Sequence, residues 1–156
     1  MTVSIVRRPE LVDELVATGA DVVLVDGPDL AARVAAATSK ARIRLAIDGV
    51  AGASTASLSG CLAPGGTVVL YSFTSGLPGA ASGIDLVFRD VTIRGFWLYS
   101  AGAKGSSKLA EGIKLGARLL AEGKLSVPVA ASYPLASAAP ALRQALKGGK
   151  VLFKVS

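Results

Sequence analysis

Residues 43–71 read IRLAIDGVAGASTASLSGCLAPGGTVVLY, and the order of residue types in this stretch decides the fold. Residues 43–47 (IRLAI) are a short apolar run ending in Asp48-Gly49, which predicts a strand and a turn. Ser54 or Thr55 starts a helix that runs to Leu62, and Pro64-Gly65-Gly66 stops it. Residues 67–71 (TVVLY) form the next strand. A strand, a helix and a second strand at this spacing make a unit whose strands lie parallel, because a crossover of this length returns the chain to its starting end.

The same alternation extends in both directions. Upstream, residues 2–6 (TVSIV) predict a strand with Arg7 and Arg8 at its exit, and Pro9 opens a helix at its first position. Leu11, Val12, Leu15 and Val16 fall at helical spacing, and Gly19 closes that helix. Residues 21–25 (DVVLV) are a strand, and Asp29 caps a helix bearing Leu30, Val34 and Ala37 on one face. Downstream come a loop rich in Gly, Ser and Pro, a helical turn around Leu86 and Phe88, and a strand at 91–95. A long helix over 104–122 is expected to face the sheet with Leu109, Ile113, Gly116, Ala117 and Leu120. A strand at 127–133, a helix at 135–146 and a strand at 151–155 complete the chain. Short, β-branched strands alternating with helices argue for an α/β fold, a doubly wound parallel sheet covered on both faces.

Composition narrows the chemistry. The chain has 156 residues, 51% of them hydrophobic and 18% charged, enough for one globular domain with a core. Its longest apolar runs are far too short for a membrane span, and no secretory signal is visible, so a cytoplasmic location is expected, with a mitochondrial one not excluded. There is no histidine, which removes imidazole-based nucleophile activation and imidazole metal ligands. The one cysteine, Cys61, forms no internal disulfide or structural zinc cluster and reads as a small core residue on the last turn of its helix. The net charge of +6 is spread along the chain and aromatic residues are only 5%, so a polyanionic small molecule fits better than nucleic acid.

Ligands of open α/β sheets bind outside the carboxyl ends of the strands. The residues at those ends are Arg7-Arg8, Asp26-Gly27, Asp48-Gly49 with Gly52, Tyr71-Ser72-Phe73-Thr74 and Phe96-Trp97-Leu98. Adjacent arginines suit a ribose 2′-phosphate, because a planar guanidinium grips phosphate oxygens; they equally suit two solvated charges before a helix. Tyr71 to Thr74 read as a polar platform beneath a ligand or a plain strand end. Phe96 and Trp97 read as core or cofactor wall, and Lys150 as a solvated charge at a hairpin-like turn after Gly148-Gly149.

With these residues in place, VRRPELVDELVATGAD, RIRLAIDGVAG, LAPGGTVVLYS, IDLVFRDVTIRGFWL and GGKVLF together resemble the C-terminal half of the medium-chain dehydrogenase/reductase superfamily, zinc-independent branch. The chain is most similar to the trans-2-enoyl-thioester reductases of that branch, with quinone reductases next. The resemblance implies NADP(H) as cofactor. Arg7 and Arg8 would hold the adenosine 2′-phosphate. Tyr71, Ser72, Phe73 and Thr74 would lie beside the nicotinamide half, Phe96, Trp97 and Leu98 would flank its ring, and Lys150 would contact the cofactor. It implies reduction of an activated C=C bond in a 2-enoyl thioester or a quinone, with a non-catalytic nucleotide-binding or interaction subunit as the alternative.

The resemblance also implies what the chain lacks. Family members have a strand, a Gly-rich phosphate loop and a helix before the position of residue 2, and a separate catalytic domain. The expected architecture is therefore an incomplete doubly wound, Rossmann-like sheet without its first strand and Gly-rich loop. Residues 1–133 would be a partial NADP-binding domain and 134–156 a helix and strand that pack on the catalytic domain. None of Tyr71, Tyr99 and Tyr133 matches the family's substrate tyrosine, so no catalytic residue and no metal ligand is assigned. In the strand order 3-2-1-4-5-6 the missing strand is central, and its loss leaves two facing edges. Either those edges close up or another chain fills the gap. A catalytic domain or second chain as partner, homo-oligomerisation, and weak or no activity in isolation are the corresponding expectations.

Overall fold

A computed structural model of the chain describes residues 1–103 and 107–155, with the side chains of 101–103 excepted. Two compact units divide it, Met1–Tyr99 and Ser100–Ser156. Among the described residues no helix is long and apolar enough to cross a membrane.

The first unit contains β1 (Val3–Val6), α1 (Leu11–Ala17), β2 (Val22–Val25), α2 (Leu30–Ala37), β3 (Leu45–Asp48), α3 (Ala53–Cys61), β4 (Thr67–Leu70), α4 (Gly83–Phe88) and β5 (Thr92–Gly95). All of its strand pairs are parallel, Val3 opposite Val22, Leu45 opposite Thr67 and Thr67 opposite Thr92. The α/β class and the parallel arrangement are as the alternation predicts. The sheet, however, is broken into two: β1 pairs only with β2, while β3, β4 and β5 form a separate three-stranded sheet. The facing edges of β1 and β3 do not close on each other.

Local chemistry explains the element ends. Gly19 adopts φ 98° after α1, and the amides of Gly19 and Ala20 bond back to the carbonyls of Val16 and Leu15, the paired closure that a left-handed glycine permits. At α2 the expected cap is corrected. Asp29 holds the capping position, but its backbone is left-handed (φ 53°) and its carboxylate makes no capping bond. Only its carbonyl contributes, accepting from the Arg33 amide as in any first turn. Helix α1 likewise begins at Leu11, after a turn in which the Leu11 amide bonds to the Arg8 carbonyl, two residues beyond the expected Pro9 start.

The core lies between β3, β4, β5 and α3. Leu62, Val68 and Val91 are buried there, with Ile43, Ala46, Leu70 and Ile93 packed against them. Buried Leu30 and Val34 belong to α2, which packs on α3 and so ties the β1–β2 side to the β3–β5 side. At β3 only one face is covered. Side chains alternate across a strand; Ala46 and Asp48 turn toward α3, whereas Leu45 and Ile47 remain 57% and 66% exposed.

The second unit holds α6 (Ser107–Ala121), β6 (Val129–Pro134), a 3-10 turn at Leu135–Ser137, α7 (Ala138–Lys147) and β7 (Lys150–Lys154); α5 (Leu98–Ala103) leads into it. β6 and β7 pair in parallel through α7, so Gly148-Gly149 is a helix-to-strand turn and not a hairpin. The expected start of the long helix at 104–106 lies outside the described residues, and from Ser107 the helix runs to Ala121. Its expected sheet-facing stripe is corrected too: no residue of α6 is buried, and Ile113 and Leu120 are exposed.

Candidate nucleotide-binding crevice

The strand tips of the first unit border one cavity of about 860 Å³. Arg7 stands just after β1, Asp26 just after β2, Asp48 at the end of β3, and Tyr71 with Thr74 beyond β4; all five line it. The cavity also runs along the strands, touching Val3 and Ile5 on one side and Leu45 and Ile47 on the other, with Val34, Leu58, Cys61 and Leu62 behind.

Asp48 organises the β3 tip. Its residue is 1% exposed. One carboxylate oxygen accepts from the amides of Val50 (2.8 Å) and Ala51 (3.1 Å) and from the Ser54 hydroxyl (3.3 Å). The other accepts from the Thr55 hydroxyl at 2.8 Å. Burial alone would raise this carboxyl, but these four donors hold it below the ordinary carboxylate value. The bonds also hold Ala51 at φ 64°, a left-handed conformation that costs a residue with a Cβ roughly 1–2 kcal/mol. Asp48 thus has both carboxylate oxygens engaged in holding the turn to α3.

The loops after β3 and β4 are stitched together. Thr74 donates from both its amide and its hydroxyl to the Gly49 carbonyl (3.2 and 3.0 Å), and the Ser75 amide bonds to the Val50 carbonyl. The Tyr71 ring lies over Gly49 so closely that a Cβ there would sit 2.7 Å from its hydroxyl oxygen. This contact explains why glycine follows Asp48.

The two arginines separate. Arg7 lines the cavity, whereas Arg8 turns to Glu10 with Nε 3.9 Å from its carboxylate. Of the other sequence-selected residues, Ser72, Phe73, Phe96, Trp97 and Leu98 lie in the first unit but outside the cavity lining. Phe96 is fixed by its amide bonding to the Leu70 carbonyl, and the exposed Trp97 stacks obliquely on Tyr99 with centroids 6.1 Å apart. Lys150 opens β7 in the second unit. Sequence reasoning missed Arg42, Arg44 and Cys61, all of which line the cavity. Cys61 is half-buried there and not a core residue, its thiol donating to the Ser57 carbonyl and pushed up by burial. The available signal was the alternation in Ile43-Arg44-Leu45, which is too polar for a strand enclosed on both sides.

With this geometry, the comparisons with known proteins agree on class. The zinc-binding dehydrogenase family model matches residues 1–118. The chain belongs to that family. It is 38% identical over 106 residues to the mitochondrial enoyl-[acyl-carrier-protein] reductase of Rattus norvegicus, an alignment covering 67% of this chain and 28% of the relative. The structure of the Etr1p complex with NADP and crotonyl-CoA superposes with a TM-score of 0.80 at 18% identity, covering 96% of this chain and 46% of that one. A protein assigned as an NADPH:quinone reductase from Mesorhizobium loti gives 0.78 at 24%, covering 97% and 45%. The chain is thus an enoyl-reductase-like member of the medium-chain dehydrogenase/reductase superfamily with a Rossmann-like fold, and it spans less than half the length of these proteins.

Two groups are implied by this family. A zinc ion does not fit the residues present: the sequence has no histidine and one cysteine, and no cluster of three or more His, Cys, Asp or Glu side chains occurs among the described residues. A dinucleotide fits in part. The cavity offers Arg7 to a phosphate and hydroxyls on Tyr71 and Thr74.

Proposed function

We propose that the chain is the NADPH-binding portion of an oxidoreductase that reduces an activated C=C bond, in a 2-enoyl thioester or a quinone. One observation carries the reading: Arg7 lines a cavity bordered by the carboxyl ends of four strands, while Arg8 lies beside Glu10. A lone guanidinium at that tip suits the 2′-phosphate that separates NADPH from NADH. Bound there, the nicotinamide would supply a hydride for the substrate's β-carbon. The chain's own part is to bind and orient. Arg7 holds the phosphate end, and the stitched loop of Tyr71, Ser72, Phe73 and Thr74 forms a fixed floor. Phe96, Trp97 and Leu98 present apolar surface suited to excluding water beside a ring. Arg8 and Lys150 stay candidates on the resemblance alone. The printed names of the relatives, enoyl reductases and an NADPH:quinone reductase, support the substrate class.

Trp97, the only tryptophan, is exposed and gives a fluorescence readout. Titration should show NADPH binding more tightly than NADH. Arg7→Ala should weaken NADPH alone by about 1.5–3 kcal/mol, roughly 10- to 100-fold, as expected for losing a charge-assisted phosphate contact. Arg8→Ala should change it far less. Equal affinity for the two cofactors in the unaltered chain overturns the assignment.

A further inference from the structure

We infer that Asp48 is a positioning residue for the nicotinamide end of the cofactor, acting through two peptide planes that its carboxylate locks. The inference deepens the cofactor reading and rests on it. Both oxygens of Asp48 are taken up by the protein, so it acts on the cofactor at one remove.

A trans peptide unit is planar, and its N–H and C=O point in opposite directions. The Val50 amide is fixed on the Asp48 carboxylate at 2.8 Å. The carbonyl in the same plane is that of Gly49, which is thereby turned outward and accepts from the Thr74 amide and hydroxyl at 3.2 and 3.0 Å. The Ala51 amide bonds to the same carboxylate oxygen at 3.1 Å. The carbonyl sharing that plane is Val50's, and it accepts from the Ser75 amide at 3.0 Å. One side chain thus sets the direction of both carbonyls that carry the loop after β4. Thr55 fixes the carboxylate in turn, donating to its other oxygen at 2.8 Å from a fully buried position.

The backbone itself gives this lock something to oppose. Ala51 sits at φ 64°, a region that a residue with a Cβ adopts at a cost. Turning the 50–51 plane by half a rotation would release Ala51 from that region and carry the Val50 carbonyl away from Ser75. The bond from the Ala51 amide to Asp48 prevents it. Residues 71–74, the proposed floor for the nicotinamide, lie beyond the end of β4 and are mostly exposed, so packing does little to place them. Their position depends on the two carbonyls that Asp48 directs. Arg7 follows β1 in a separate sheet, so the phosphate end of the cofactor is held independently of this device.

Two NMR measurements on the purified full chain test this, comparing Asp48→Ala with Asp48→Asn, whose amide oxygen still accepts from both backbone amides. In the free chain, Thr74 and Ser75 amides should exchange about tenfold faster in Asp48→Ala, while Val69 inside the β3–β4 ladder changes far less. Asp48→Asn should bring both back toward the unaltered rate. With NADPH added, magnetisation transferred from the chain should reach the nicotinamide and the adenine protons alike. Asp48→Ala should lose the nicotinamide signal and keep the adenine one, and Asp48→Asn should restore it. A role in stability alone would weaken both ends together; that result overturns the inference and leaves the cofactor reading standing. So does an undiminished nicotinamide signal in Asp48→Ala, or exchange at Thr74 and Ser75 that merely follows Val69. An adenine signal without a nicotinamide one in the unaltered chain also overturns the inference alone. No signal from either end in the unaltered chain overturns the cofactor reading and the inference with it. If Asp48→Ala does not fold, Thr55→Val, which leaves one carboxylate oxygen without its donor, should give the same split more weakly, with Thr55→Ser restoring it; equal change at the two ends there overturns the inference.

Discussion

On the β3–β5 side of the cavity, strands, helix and loops are tied by buried polar groups. Asp48 binds the β3 tip to α3, and the Asp85 carboxylate accepts from the Ser59 hydroxyl at 2.6 Å and pairs with Arg89. Arg89 also donates to the Ser59 and Leu62 carbonyls at the end of α3. On the β1–β2 side, α1 has no buried residue and β2 none fully enclosed. The first side is tied by buried polar groups; the second is held by one ladder, by α1 against β2, by α2 resting on α3, and by more exposed bonds, Thr2 donating to the Asp21 carboxylate and Arg33 to the Val25 carbonyl. The buried polar ties are therefore concentrated on one bank of the cavity, and those of the other bank are more exposed.

Substitutions can break this contrast or sharpen it. The largest effect is expected for Asp48→Ala, which strands the buried Ala51 amide and Thr55 hydroxyl together with the part-buried Val50 amide and should cost about 3 kcal/mol, read from the urea midpoint at unchanged m. The same residue predicts a pH dependence. Its native value lies below the ordinary one of roughly 3.9, so unfolding takes up a proton between the two. The stability it contributes is present above the ordinary value and is lost as pH falls through the native one. Between about pH 5 and pH 3 the unaltered chain should lose stability more steeply than Asp48→Asn; parallel curves would remove Asp48 from the account.

Next comes Asp85→Ala, expected to cost about 2 kcal/mol because Arg89 loses its counter-charge but keeps two carbonyl partners and some solvent. Its carboxyl is also held low, first by the Ser59 hydroxyl and then by Arg89, with burial opposing. Gly49→Ala should cost about 1 kcal/mol, since the Tyr71 ring that it displaces is exposed and can swing aside. The visible consequence should be a change in tyrosine emission, and an unchanged spectrum would contradict the contact. The smallest effect is expected on the opposite bank: Val16→Ala in α1 should stay within about 0.5 kcal/mol in the same urea assay. A loss comparable to that of Asp85→Ala would show that the two banks are equally tied.

Much of this was legible beforehand, and the reasons are local. The turn at Gly19 follows from a backbone only glycine adopts cheaply, and the strands at 22–25 and 67–70 from β-branched runs that suit an extended chain. The strand tips, and so Arg7, Tyr71 and Thr74, followed from topology. What local patterns could not reveal was which neighbour each side chain meets. Asp29 has the right residue type for a cap and a backbone that turns its carboxylate away. The arginines are equivalent in sequence, and Glu10 alone distinguishes them.

The sequence by itself determined the alternation of strand and helix, the parallel pairing that alternation forces, and the positive, histidine-free chemistry of the strand ends. These depend on steric preferences and residue inventory, which act over a few positions. Only the tertiary structure decided that β1 and β3 stand apart with a cavity between them, that Asp48 is engaged in holding a turn, and that Leu45 and Ile47 stay exposed. Each of those depends on what is brought near across the fold, because burial and hydrogen-bond partners are properties of pairs of segments and not of any segment alone.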